Sequence, residues 1–381
     1  MEKKGHIDWI LMLSVIALMV FSVAFVYSAS STIAEIKFGS AEKLFMRHLF
    51  MVVISICVML FTSQVDYKWF SKHSTKFLLF AIFMLILVLF MGTSSHGASR
   101  WLILGPVSFQ PTEIAKFTLI FHFAKLLANK QNRMESFQIG FLPFLLWISI
   151  ISVLIALQPN FSNMILIFGI SMFMMFIGNV RASYLFGLSG VGAVVAIIYA
   201  LSAQYRLNRL YAFFGVGEPN SAIENVSYQL NQSLISIGNG GILGVGAGQS
   251  RQSHMFLPES YGDFIFAIIG EEFGYVGLMT IIILFALIFY RGIIIAKNTN
   301  DKFGYYLTVG IIITFGTYAF INAGVNTGLL PTTGVPMPFI SYGGSALIIY
   351  AGAMGVLLNI SSKAGVYHIE TDKLDKDKTE E

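Results

Sequence analysis

The stretch WILMLSVIALMVFSVAFVYSASSTIA, Trp9 to Ala34, carries no charge and is interrupted by nothing more polar than serine, threonine and tyrosine. An α-helix rises 1.5 Å per residue, so about 20 apolar residues cross roughly 30 Å of hydrocarbon. Trp9–Ala34 therefore reads as a membrane span, and the same pattern recurs at His48–Val65 and Phe77–Ser99. A longer charge-free segment between Glu135 and Arg181 has room for two crossings, with Gln158, Pro159 and Asn160 marking the turn. Ala182–Tyr205 and Phe273–Tyr290 supply further spans, and Phe303–Ser362 divides into two around Pro331, Pro336 and Pro338. Pro111–Ala128 is less apolar because of Glu113, Lys116, His122 and Lys125, but Pro111 suits a first helical turn, and it counts as a tenth, partly polar span.

Composition agrees with this pattern. Of 381 residues, 56% are hydrophobic and 12% charged, with a mean hydropathy of +0.73, whereas soluble domains have about 25% charged residues. The expected fold class is all-α: a polytopic membrane protein of about ten transmembrane helices, with a large exterior loop between spans 7 and 8. One cysteine excludes an internal disulfide or a thiolate metal cluster, and a net charge of +4, scattered along the chain, excludes a nucleic-acid platform. Lysine and arginine placement sets the orientation. With both termini cytoplasmic, Lys3, Lys4, Lys68, Lys72, Lys76, Lys130, Arg133, Arg181, Arg291, Lys297, Lys302 and Lys363 fall inside, with Lys373, Lys376 and Lys378 of the tail. The smaller set of Lys37, Lys43, Arg47, Arg100, Arg206, Arg209 and Arg251 falls outside, as the positive-inside rule requires. Lys3 and Lys4 before an apolar run, with Ser28, Ala29 and Ser30 after it, imitate a cleavable signal, but the run is longer than an ordinary signal core and reads as an uncleaved first span. The domain division is an integral membrane domain over 1–362 and a flexible cytoplasmic tail over 363–381.

The connection from Gln204 to Asp263 is too long for a structureless link. Leu230, Leu234, Ile235 and Ile237 suit a short interfacial helix, and the glycines at 238, 240, 241, 244, 246 and 248 suit tight turns and close packing. A nucleotide-binding fold is excluded because no strand, helix and ribose-binding acid accompany those glycines.

Ionised groups inside hydrocarbon are expensive, about 3 kcal/mol each at the helix centre. Glu113 and Lys116 share a helix face and form an ion pair in one reading, while Lys116 binds a substrate phosphate in another; the two roles are compatible. Arg100 beside Trp101 is either an interfacial anchor or a bidentate ligand for a lipid phosphate. Arg206 and Arg209 form an exterior basic face for lipid headgroups or substrate phosphates. Asp263, just before an apolar helix, is a natural N-cap, a role that favours its ionised form, whereas a general base for a sugar hydroxyl benefits from a raised pKa. Glu271 and Glu272 lie further along the same helix; they make polar interior contacts that are purely structural in one reading and part of a substrate-binding cavity in another.

These marks form an ordered set. GASRW (Gly97–Trp101), FQPTEIAKF (Phe109–Phe117), QPN (Gln158–Asn160), YQLNQSLISIGNGGILGVGAGQSRQ (Tyr228–Gln252), LPESYGDFIFAIIGEEFGYVG (Leu257–Gly277) and NTGLLPTTGVPMPFISYGGSAL (Asn326–Leu347) together resemble the SEDS family of bacterial shape, elongation, division and sporulation proteins. The resemblance implies a ten-span peptidoglycan glycosyltransferase that uses lipid II at the outer face of the cytoplasmic membrane. By that matching Asp263 is the catalytic aspartate, and Arg100, Glu113 and Lys116 are polar positions of a central cavity. Arg206 and Arg209 belong to the exterior basic segment, and Ser341–Ser345 shapes the cavity. The resemblance also implies dependence on a divalent cation (Mg or Mn) whose ligands are not apparent, and no organic cofactor. Its implied partners are a single-span class B penicillin-binding protein with transpeptidase activity and other divisome or elongasome membrane proteins. Departures occur at Gly215–Pro219, where the family commonly has an Asp-Pro-Trp-like segment, and at Asn160 and Ser162, where aspartate and glycine are usual. QSLISIGNGG and GQSRQ lean toward the division and sporulation branch. A lipid II transporter and a non-catalytic organiser of a cell-wall complex are the competing functions.

Overall fold

The computed structural model describes residues 6–95, 98–104, 107–216, 221–253 and 256–377; Lys3, Lys4, Gly97, residues 217–219 and Lys378, which entered the sequence reading, lie outside them. The chain is an all-α, polytopic membrane protein. Its helices are α1 (Trp9–Phe38), α2 (Lys43–Gln64), α3 (Tyr67–Met91), α4 (Pro111–Lys130), α5 (Leu142–Ala156, preceded by a π-helical turn, Phe137–Phe141) and α6 (Phe161–Ile177). They continue with α7 (Ala182–Leu201), α8 (Gln204–Phe214), α9 (Ser221–Gly240), α10 (Ile265–Asn298), α11 (Lys302–Asn326) and α12 (Ser345–Asp377). Among the described residues, eight helical segments are long and apolar enough to cross a membrane: α1, α2, α3, Phe137–Ala156, α7, α10, α11 and the Ser345–Ala364 part of α12. α6 is apolar but shorter, and α4 carries its charges on largely buried faces.

Several span edges differ from the sequence reading for physical reasons. α3 begins at Tyr67 rather than Phe77, because Asp66 accepts the Lys68 N–H and starts the helix among its lysines. It stops at Met91, and Thr93–Ser95 (β1), Ala98–Leu104 (β2) and Val107–Phe109 (β3) form a small antiparallel sheet in the order β1-β2-β3. The end of the expected third span is therefore strand, and this sheet, unforeseen in the sequence, carries Arg100. The backbone of α12 continues as helix to Asp377, through most of the segment expected to form a tail.

Contacts sort the helix ends into two groups. At one end Asp8 caps α1, pairs with Arg291 at 2.6 Å, and donates its N–H to Ser361 Oγ at 3.1 Å, while Asp66 pairs with Lys363 at 2.6 Å. At the other, Arg100 meets the α5–α6 corner, Ser162 donates to the Thr333 carbonyl at 2.7 Å, and the Gln110 N–H reaches Ser345 Oγ at 3.1 Å. α11 and α12 are the most enclosed spans and α7 the least. Small polar residues such as Ser22, Ser55 and Ser74 are fully buried among the helices, where a small side chain lets backbones approach.

Candidate active site

Asp263 lies just ahead of α10, in a segment held from outside by three consecutive backbone carbonyls. The Tyr261 carbonyl accepts the Tyr342 N–H (2.8 Å) and the Gly262 carbonyl accepts Ser341 Oγ (2.7 Å). The Asp263 carbonyl accepts amide protons from both Asn322 (2.8 Å) and Asn326 (2.9 Å) of α11. Asn322 also donates to the Val335 carbonyl at 2.8 Å, joining the Pro331–Gly344 connection to the same point. The helix itself begins at Ile265 with Phe264 in the cap position, and Asn326 Oδ1 accepts the Ala267 N–H at 3.1 Å. An asparagine from another helix thus joins the Phe264 carbonyl as an acceptor for the Ala267 N–H in the first turn of α10. Gly334, at φ +70°, faces the carboxylate: a Cβ there would stand 3.4 Å from Asp263 Oδ2.

Beside this segment is a cavity of about 300 Å³ walled by α6, α7, α8 and residues 331–335. Arg100, Arg206 and Arg209 all line it. The Arg100 guanidinium donates to the Gln158 carbonyl at 3.3 Å and to that of Pro159, so the β-sheet braces the QPN corner. Burial pulls the Arg100 pKa down and Arg209 adds to this, while Asp263 acts in the opposite sense; a guanidinium starts so high that it remains cationic at neutral pH. Arg206 lies over the Tyr199 ring at 3.6 Å and donates to the Tyr199 carbonyl, and Arg209 donates to the Thr332 carbonyl at 3.3 Å. Asn160 Nδ2, Arg206 Nε, Thr332 Oγ1 and Thr333 Oγ1 are buried around this cavity with no hydrogen-bond partner among the described residues. Buried polar groups are rarely left so, and three cations with spare donors suit an anionic, oxygen-rich ligand.

The other charged residues singled out in the sequence do not line that cavity. Glu113 and Lys116 form an enclosed pair at 2.6 Å, with both side chains nearly inaccessible. Lys116 Nζ stands 3.8 Å from the Tyr318 ring centroid and 5.0 Å from that of Tyr350, so aromatic faces complete its coordination. A chain of contacts links the pair to the cavity: Tyr318 Oη donates to Asn163 Oδ1 (2.6 Å), and Asn163 Nδ2 donates to Asn160 Oδ1 (3.1 Å). Asn160 and Ser162, both departures from the family pattern, therefore make contacts of their own.

Glu271 and Glu272, read from sequence as interior polar contacts or as cavity groups, make interior contacts, and Glu271 anchors the glycine-rich segment. Glu271 accepts from the hydroxyls of Ser236 and Ser250 and from the N–H groups of Arg251 and Gln252; Glu272 accepts from Ser28 of α1. α10 is interrupted at Gly274 (φ 62°, ψ −159°), which frees the carbonyls of 271 and 272 and the N–H groups of 275 and 276. Residues 241–246 fill the gap: Val245 and Gly246 donate to those carbonyls, while Gly241 and Ile242 accept from Tyr275 and Val276. The long connection otherwise folds as two helices, α8 and α9, where a single short helix was expected.

Asn322, Asn163 and Tyr318 escaped the sequence reading, and Asn326 entered it only as the first residue of a matching stretch. The available signal was the i, i+4 asparagine pair inside an apolar span, since an uncharged amide in hydrocarbon also needs a partner.

An all-α bundle with an arginine-lined cavity and a braced aspartate at one end defines a polytopic membrane protein equipped to hold an anionic ligand at the ends of its helices. The FtsW/RodA/SpoVE profile, described as cell cycle protein, matches residues 8–365. The chain is 34% identical over 365 residues to a probable peptidoglycan glycosyltransferase FtsW of Geobacter metallireducens, covering 95% of this chain and 96% of that one. It is 37% identical to the stage V sporulation protein E of Bacillus subtilis over 363 residues, 94% and 98% of the two chains. A chain from a solved peptidoglycan synthase complex superposes with a TM-score of 0.77 at 22% identity, covering 94% and 98%, and supports the fold. The chain belongs to the FtsW/RodA/SpoVE family.

Proposed function

We propose that the chain is a peptidoglycan glycosyltransferase that polymerises lipid II into β-1,4-linked glycan at the outer face of the cytoplasmic membrane. The observation that carries it is the juxtaposition of Asp263, its backbone fixed at three successive carbonyls, with a cavity lined by Arg100, Arg206 and Arg209. Asp263 takes the proton from the acceptor 4-hydroxyl as that oxygen attacks C1 of the donor. The C1–pyrophosphate bond breaks, undecaprenyl pyrophosphate leaves, and the α-linked donor becomes a β-linked product. The arginines stabilise the charge that gathers on the departing pyrophosphate. In this reading the chain crosses the membrane ten times, α4 and α6 joining the eight long apolar spans, with both termini cytoplasmic.

No group of three His, Cys, Asp or Glu side chains is placed to hold a metal ion among the described residues. A divalent cation, when bound, would offset pyrophosphate charge; such ions commonly take most of their ligands from substrate phosphates and water. The partner that fits this reading is a single-span class B penicillin-binding protein, within a divisome or elongasome assembly.

The test is polymerisation of lipid II by the purified chain with its partner and a divalent cation, the partner's transpeptidase being inactivated. Asp263→Asn keeps volume and a capping oxygen but removes the base, and is expected to lower the initial rate at least roughly 100-fold with folding and lipid binding retained. Near-normal turnover by this variant would overturn the assignment of the base and direct the search to Glu259, Glu271 or Glu272. Lipid II exposed on the far leaflet of vesicles without polymer would favour transport, and undiminished synthesis by Asp263→Ala would favour an organiser.

A further inference from the structure

At the end of the bundle opposite Asp263, a groove of about 590 Å³ opens between the start of α3, the end of α4 and the start of α11. Lys68, Lys72 and Lys302 line it with Ser71, Asn129, Asn300, Asp301 and Phe303. The lining is rich in cations, and they sit where two helices begin. Lys302 is the first residue of α11, and Lys68 and Lys72 fall in the opening turns of α3. A helix N-terminus already concentrates positive charge, and lysine is disfavoured there.

The nearby carboxylates are occupied. Asp66 is paired with Lys363 at 2.6 Å and accepts the Lys68 N–H, and Asp301 accepts the Gly304 N–H at 2.9 Å. Three lysines thus line a groove in which, among the described lining residues, the one carboxylate is engaged in capping.

Its surroundings identify the anion. The groove lies where apolar spans α3 and α11 begin, Phe303 forms part of its wall, and Trp69, adjacent to Lys68, is 46% exposed. An exposed tryptophan beside lysines at the ends of apolar helices marks headgroup depth, and basic pockets between spans are suited to lipid phosphates. We propose that this groove binds the phosphodiester headgroup of an anionic phospholipid, with Lys68, Lys72 and Lys302 as its ligands and the acyl chains lying along α3.

The full chain, purified in detergent and stripped of lipid, is titrated in native mass spectrometry with phosphatidylglycerol, phosphatidylcholine and inorganic phosphate. Phosphatidylglycerol is expected to bind preferentially, to weaken with salt, and to lose on the order of 100-fold in affinity in K68Q/K72Q/K302Q, at about fivefold per lysine. K68Q/K72Q should fall between, and it keeps the test available if the triple variant folds poorly. Equal phosphatidylglycerol affinity in wild type and both variants overturns the proposal, as does phosphatidylcholine binding as tightly. Inorganic phosphate binding as strongly as the lipid, and lost with the same lysines, would replace the lipid with a soluble anion.

Discussion

Asn322 illustrates how much of this chemistry rests on single uncharged side chains. Its amide serves the carbonyls of Asp263 and Val335, so it joins α11, the start of α10 and the Pro331–Gly344 connection at one point. Asn322→Leu keeps the approximate volume, takes the amide donor from the Val335 carbonyl and leaves the Asp263 carbonyl with Asn326 alone. A buried group left unsatisfied costs about 1–3 kcal/mol, so thermal unfolding should shift downward. If the contact sets the position of Asp263, the polymerisation rate at saturating lipid II should fall further than lipid II affinity does. An equal loss in a control variant of matched stability far from α10 would reduce Asn322 to a packing residue. In sequence, Asp263 is visible as a residue before an apolar helix, but its two plausible roles are not separable there. The resemblance raised the catalytic reading, and the fold adds an acceptor for the Ala267 N–H from α11, Asn326, that no local pattern shows.

At the scale of elements, the glycine-rich segment and the break in α10 form one unit. The break at Gly274 frees four backbone groups, and residues 241–246 satisfy them. A Cβ on Gly240 would stand 1.9 Å from the Gly270 carbonyl oxygen, and one on Gly244 would stand 2.1 Å from that of Glu272. Both obstacles are backbone and cannot swing aside. Gly240→Ala and Gly244→Ala are therefore expected to destabilise by about 1–3 kcal/mol through overpacking, with hydrogen exchange quickened over 241–253. Gly238 lies inside α9 with nothing within 4 Å of an added Cβ. Gly238→Ala should stabilise by about 0.5–1 kcal/mol because alanine suits a helix interior better. Equal behaviour of these variants in thermal unfolding would refute the account. The run of glycines read correctly as tight packing, but what it packs against, a helix break about 30 residues downstream, is invisible to a local pattern.

Across the whole molecule, charge is distributed by end and by depth. Arginines gather around the cavity at the Asp263 end, lysines around the groove at the other, and Glu113 with Lys116 occupies the interior between helices. The interior pair is the one whose disruption the bundle tolerates least, because removing one partner strands a buried charge at a cost of about 3–5 kcal/mol. Lys116→Met is expected to lower folded yield and melting temperature. Adding Glu113→Leu to it should recover much of both, since a buried ion pair replaced by apolar residues is often neutral. Failure of the double variant to recover, with polymerisation also lost, would show that the pair does more than neutralise itself, through Tyr318, Asn163 and Asn160.

Hydrocarbon length and the expense of charge within it are local properties, and they are written along the chain. Trp9–Ala34 and its counterparts announced a polytopic helical membrane protein, lysine placement proposed its orientation, and the motif order announced the family. Three matters were decided only in three dimensions. Met91 ends α3 because the chain turns into a sheet that delivers Arg100 to the α5–α6 corner. Glu271 and Glu272 could be read either as structural contacts or as cavity groups, and the fold gives them serine hydroxyls and loop N–H groups as partners. Arg100, Arg206 and Arg209 share a cavity, while Glu113 and Lys116, equally prominent in sequence, close on each other behind Tyr318. The physical reason is common to all three. Desolvation requires each buried charge to find a partner, but many partners would satisfy it, and only packing of distant segments selects one.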